Sequence, residues 1–256
     1  MSKLIAALEA NSLPNNMLMD LYGISDDEHF DCVFVAPSWT PDKVFDMTNI
    51  DITEILLNRF ANSFRIRHNG KNYLFIRLQI GAPNIIDFCL LCYRMKCDNS
   101  VFIGSVGGLV SGINVGDVIV PDYAISGNSA SIYLHDKLDA NNMFEHISSS
   151  HEQNEHIREI GLANGINVLN VPIISMDSIM AEYLHLEEFR QMGAHALEME
   201  AATFFACMNH INKTASAILV VSDNSATGEH LIGRTDADKL HYHSVRHQIG
   251  NILLNM

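Results

Sequence analysis

Three short segments of the chain carry residues able to do chemistry. Leu197-Glu198-Met199-Glu200-Ala201-Ala202 sets two carboxylates one residue apart in an apolar stretch, where burying a charge without partners is costly. Val220-Val221-Ser222-Asp223 ends an apolar run on an acid; burial there would raise its pKa and suit it to handling a proton. Gly104-Ser105-Val106-Gly107-Gly108 combines glycines with a hydroxyl. Glycines let a backbone approach a ligand, and free N–H groups beside Ser105 form an anion nest. Each signal alone is weak. Many tight turns share the glycine pattern, and Glu200 would also serve as an ordinary acid at a helix N-terminus.

The elements around these segments place them. Apolar runs at Asp31–Ala36, Val101–Gly104, Val115–Val120 and Thr214–Val221 read as strands, and the glycine segment reads as the loop after the second of them. Phe64–Arg67 and Tyr73–Leu78 flank Asn69-Gly70, a two-residue hairpin signal. Asp51–Ala61 has Ile52, Ile55, Leu56 and Phe60 at helical spacing, which predicts a helix carrying Arg59. Helices are also expected at Pro83–Lys96, with Pro in the first turn, at Ser150–Asn164, stopped by Gly165, and at Asp236–Leu254. Ile166–Ile174 reads as β-rich, and Leu197–His210 starts near a strand end and runs into a helix. Asn128–Ser150 is polar and poorly patterned, the best candidate for a lid or inserted loop. Strands alternating with helices predict an α/β fold on a central sheet. No repeat or linker divides residues 1–256, so a single domain is expected.

Composition narrows the function. The 256 residues carry a formal charge of −14, which argues against a nucleic-acid partner but permits a small anion held by local N–H groups. No apolar run approaches a membrane span, and Met1–Ala10 lacks the features of a signal peptide, so a cytoplasmic protein is expected. Cys89-x-x-Cys92 invites a metal reading, but it lies in the apolar run Ile85–Met95 with no second such pair, so a buried helix face is favoured. His241, His243 and His247 read as an exposed helix surface. No metal is expected.

Taken together, GSVGGLVSGINVGDVIVP, GAHALEMEAATFFA and ILVVSDNSATGEH resemble the nucleoside phosphorylase and nucleosidase superfamily, over roughly Gly81 to His230. The combination is far more specific than any one motif. The resemblance implies a single three-layer α/β/α domain with a mixed, partly barrel-like central sheet, assembled as an oligomer built from dimers. It implies that Glu200 binds the ribose diol and steadies a cationic sugar. It also implies that Met199 packs on the sugar beside Glu198, and that Asp223 protonates purine N7. Ile179 and Met180 match the segment covering the base, and Asp177 matches an acid of structural role. Ser105 and Gly104 match the phosphate site, and Arg59 has the spacing of an arginine that reaches a neighbouring subunit. Phosphate is then a co-substrate, and no organic cofactor is implied.

Some of the pattern is missing. Where bacterial-type hexameric phosphorylases have a GDPxR loop, this chain has Ala36-Pro37-Ser38-Trp39-Thr40, and a second phosphate arginine is replaced by Phe102. Hydrolytic relatives lack both arginines too, but carry a catalytic Glu in the first loop, where this chain has no acid before Asp42. The favoured reading is phosphorolysis of a purine nucleoside, with phosphate held by Gly104, Ser105, Ser38 and Arg59. Hydrolysis, or nucleoside binding without turnover, remains the alternative.

Overall fold

The computed structural model describes residues 3–11, 16–229, 231 and 234–256; His230, which ends the third motif, lies outside them. Helices α1 (Lys3–Ala10) and α2 (Met17–Tyr22) precede strand β1 (His29–Pro37). A run of strands follows: β2 (Asp51–Leu57), β3 (Ala61–His68) and β4 (Lys71–Leu78), then α3 (Ala82–Leu91) and the long strand β5 (Lys96–Gly108). Next come β6 (Val118–Ile119), β7 (Tyr123–Ser126), β8 (His146–Ser148), α4 (His151–Ala163), β9 (Val168–Leu169) and β10 (Ile173–Ser175). The chain ends with α5 (Leu186–Gln191), β11 (Ala196–Glu198), α6 (Ala201–His210), β12 (Ser216–Asn224) and α7 (Asp236–Leu253). Among the described residues, no helix is long and apolar enough to cross a membrane.

The strands form one mixed, open sheet along β2-β3-β4-β1-β5-β11-β10-β7-β8, with β12, β6 and β9 branching from β5. Side-chain alternation makes it the middle of three layers. On one face Val33 and Val35 of β1, Leu74 and Ile76 of β4, and Leu219 and Val221 of β12 pack with Phe88 of α3 and Phe204 and Phe205 of α6. On the other face Phe34, Phe75, Ile103, Ile218 and Val220 pack with Ile157 of α4 and Val245, Ile249 and Ile252 of α7. Strands buried on both faces read as continuous apolar runs, which is why β12 and the middle of β5 are conspicuous in the sequence. The α/β expectation is met.

Three local expectations are corrected. Asp51–Ala61 is not a helix: β2 and β3 form an antiparallel hairpin, with a register shift between Glu54 and Leu56. That bulge puts Ile55 and Leu56 out of strict alternation and so imitates helical spacing. Asn58 closes the turn, its Oδ1 accepting from the N–H groups of Phe60 at 2.8 Å and Ala61 at 2.9 Å. Gly104–Gly108 is not a loop but the C-terminal end of β5, paired with β12 from Gly104↔Leu219 to Gly108↔Asn224. Its glycines serve close packing: a Cβ on Gly108 would meet Asn224 Nδ2 at 2.6 Å. Asn128–Ser150, expected as a lid or inserted loop, packs against the body of the fold, and among the described residues none of it lines the main cleft. Ala130, Ser131 and Leu134 are buried, the Leu134 carbonyl contacts His210 of α6, and β8 pairs with β7 at the sheet edge.

The remaining elements follow their local chemistry. Asn69 and Gly70 both take positive φ, 48° and 79°, as a tight hairpin turn with the twist of its strands requires. Ser150 caps α4 by accepting from the Gln153 N–H, and Thr235 with Asp238 forms a capping box at the start of α7. Cys89 and Cys92 are buried in the core, and burial pushes both thiols up.

Candidate active site

The cleft arises from how β5 changes partners. On one side it pairs with β1 as far as Phe102, then with β11 from Gly107 onward. Between them, no strand among the described residues pairs with Ile103–Val106 on that side. A cavity of about 240 Å³ opens there, at the C-terminal ends of the parallel strands β1, β5 and β12, where α/β sheets hold ligands. Its size suits a small molecule.

The two carboxylates of Glu198-Met199-Glu200 have different tasks. Glu198 ends β11, and its Oε2 accepts from the N–H groups of Glu200 at 2.7 Å and Ala201 at 2.8 Å. Its Oε1 accepts from the Ser175 hydroxyl, which itself accepts from the Ala202 N–H at 2.8 Å. Glu198 thus satisfies the open N–H groups at the start of α6, although burial pushes its pKa up. Glu200 occupies the N-cap residue of α6 but its side chain makes no cap bond. Instead, Oε1 accepts from the Gly81 N–H at 2.6 Å, where α3 begins. Burial and the neighbouring charge of Glu198 raise Glu200 to about 8. One acid anchors the helix, and the other is left facing the cleft.

Asp223 lies at the bulge in β12 between Val221 and Asp223, which turns its carboxyl toward the ligand side. The Ser222 hydroxyl donates to Asp223 Oδ1 at 2.5 Å. Gly107 opposes it across the strand pair, and a Cβ there would lie 3.2 Å from Asp223 Oδ2. Ser105 hydrogen-bonds the Tyr242 hydroxyl at 2.6 Å. Tyr242 comes from α7 and packs edge-on to Trp39, with ring centroids 6.5 Å apart. The Arg234 guanidinium lies over the Tyr242 ring at 5.2 Å and donates to the Ser222 carbonyl at 2.8 Å. Arg234 is the one Lys or Arg among the described residues that line the cleft. Ser38 follows β1 at φ 64°, a conformation uncommon outside glycine.

Of the residues singled out in the sequence, the cleft gathers Ser38, Gly104, Ser105, Ile179, Glu198, Met199, Glu200 and Asp223. Met180 does not line it and is 66% exposed. Arg59 does not line it either: it sits in the exposed β2–β3 turn, its guanidinium 4.6 Å from the Phe60 ring. Phe102, at the place of an expected cation, is buried against Phe204. Asp177 accepts from Asn128 Nδ2 and the Ser129 N–H; Asn128 also donates to the Met199 carbonyl at 3.0 Å. Glu182, Tyr183, Arg234 and Tyr242 line the cleft but were not singled out, because they come from a short turn and from the region leading into and forming α7, with no local motif. Among the described residues, no group of three His, Cys, Asp or Glu side chains is placed to hold a metal ion.

Comparison with known proteins agrees with this architecture. The chain is 22% identical to purine nucleoside phosphorylases of DeoD type from Listeria monocytogenes and Listeria innocua, over 63% of this chain and 68% of each relative. The family model described as the phosphorylase superfamily matches residues 49–255, which span β2, the glycine strand, both acidic motifs and α7, so this chain belongs to the phosphorylase superfamily.

Proposed function

We propose that the protein cleaves the N-glycosidic bond of purine nucleosides by phosphorolysis, releasing the free base and ribose 1-phosphate. The observation that carries this reading is the convergence of Glu200, Asp223 and the Ser105 hydroxyl on one cleft, with Glu198 relieving Glu200 of helix capping. Similarity to purine nucleoside phosphorylases supports the choice of substrate and acceptor.

In the reaction, a phosphate oxygen attacks C1′ while the bond from C1′ to the purine nitrogen breaks. Positive charge develops on the sugar, and the Glu200 carboxylate accepts hydrogen bonds from its diol and steadies that charge. The bond electrons pass into the purine, and Asp223 supplies a proton to N7, making the base a better leaving group. Ser105, Ser38 and Arg234 supply the donors and the charge for phosphate on the other side of the sugar.

The absence of arginine at Thr40 and Phe102 favours a second reading, in which water replaces phosphate. The two are separated by measuring base release from adenosine and inosine with and without phosphate. Release that depends on phosphate is expected; equal release in its absence would make the protein a nucleosidase. Asp223→Asn is expected to lower kcat by roughly 10²- to 10⁴-fold, and a full-rate variant would remove Asp223 as the acid.

A further inference from the structure

Of the four carboxyls among the described residues that line the cleft, Glu182 is the one that neither the reaction nor the start of α6 uses. It lies in the turn Ala181–Leu184, covers the cleft together with Ile179 and Tyr183 and is 9% exposed. Glu198 is engaged by Ser175 and the start of α6, Glu200 by Gly81, and Asp223 by Ser222. No hydrogen bond from another described residue reaches the Glu182 carboxyl. Its carboxyl lines the cleft beside Asp223, where a donor on a bound ligand can reach it. Burial, followed by the charge of Asp223, pushes Glu182 up to about 7.

We propose that Glu182 reads the substituent at C6 of the purine and selects 6-amino over 6-oxo bases, its carboxylate accepting a hydrogen bond from the amino group. The assignment rests on the reading of the cleft as a purine site with Asp223 at N7. A purine presents N7 and its C6 substituent on the same edge: adenine offers an acceptor and an amino donor there, whereas 6-oxo bases offer two acceptors. Seating N7 at Asp223 brings the C6 group toward the neighbouring carboxyl. A carboxylate opposite an amino group makes a charge-assisted bond, while opposite O6 it leaves two acceptors facing each other.

Among the described residues, the charged and titratable groups sharing the cleft are Asp223 on β12, Tyr183 on the same turn, Glu198 and Glu200 around the start of α6, and Arg234 and Tyr242 at α7. Asp223 is the one whose charge acts on Glu182. Protonation of Glu182 makes its O–H a donor to O6, so selectivity for the amino base narrows as pH falls below about 7.

The test is calorimetric binding of adenine and of hypoxanthine to the full chain at pH 8 and pH 6, for wild type and Glu182→Gln, beside base release from adenosine and inosine. Wild type is expected to bind adenine roughly tenfold or more tighter than hypoxanthine at pH 8, with a smaller ratio at pH 6. Glu182→Gln, whose amide both donates and accepts, should bring the ratio to within about threefold at both pH values. Each ratio compares two ligands on one preparation, so a lower folded fraction cancels. The wild-type pH dependence stands as a second measure should the variant not fold. A ratio unchanged by substitution, or a wild-type ratio insensitive to pH, overturns the role of Glu182 even if base release is normal. Selective binding that depends on Glu182, with no base release, keeps Glu182 and removes the catalytic reading. Binding of neither base by wild type overturns both.

Discussion

Glu200 shows how a residue can be costly to the fold and useful to the site. Its carboxyl is raised from 4.5 to about 8 by burial and by Glu198, with the Gly81 N–H pulling the other way. Between those two pH values the folded state therefore holds a proton that the unfolded chain releases, so stability falls as pH rises through this window and is flat above about 8. A nucleoside diol needs the ionised form as acceptor, so binding expels that proton, and KM should fall as pH rises toward about 8. Glu200→Gln removes the buried charge. It should melt higher than wild type by a margin that is larger at pH 8.5 than at pH 6, while kcat/KM drops by roughly 10²-fold. Thermal melts and steady-state rates at the two pH values check this; a variant less stable than wild type at pH 8.5 would mean that the Gly81 bond outweighs burial.

The elements show why adjacent glycines of one strand have separate duties. Gly107 and Gly108 both lie in β5 opposite β12, but a Cβ on Gly107 would press on the Asp223 carboxylate at 3.2 Å, and one on Gly108 would strike Asn224 at 2.6 Å. Asn224 Nδ2 holds the carbonyls of Val110 and Ile113, so its displacement loosens the chain after β5. Gly107→Ala is expected to lower kcat by about 10- to 100-fold, because a small shift of a catalytic group is enough, with Tm nearly unchanged. Gly108→Ala should lower Tm by several degrees, in the range of a ~1–3 kcal/mol overpacking cost. Paired rate and melting measurements separate the two outcomes. Much of this was legible in the sequence, since β12, α6 and the acidic motifs are dense apolar runs ending on polar residues. What was not legible depended on pairing. The bulge in β2 imitates a helix, β5 continues through its glycines because β12 lies against them, and Tyr242 reaches Ser105 only once α7 packs on the sheet. Which of Glu198 and Glu200 caps α6 likewise follows from the position of Ser175 on β10, outside the acidic motif.

At the scale of the whole molecule, Arg59 stands away from the cleft of its own chain, at the tip of a hairpin that also exposes Leu57 and Phe60, 53% and 48% accessible. Two large apolar side chains flanking a cation on a projecting turn suit a contact with a second copy of the chain. They also allow Arg59 to supply in trans one of the charges missing at Thr40 and Phe102. In that arrangement Arg59→Ala should raise the KM for phosphate while leaving kcat at saturating phosphate close to wild type. Mixing Arg59→Ala with Asp223→Asn protomers supplies the decisive measurement. A mixed dimer contains one site with both its own Asp223 and its partner's Arg59, so at limiting phosphate random reassortment should restore about a quarter of wild-type activity. A mixture no more active than the sum of its two parents would exclude supply in trans and leave Arg234 as the cation among the described residues that line the cleft, because an arginine serving its own chain, or none, gains nothing from a partner.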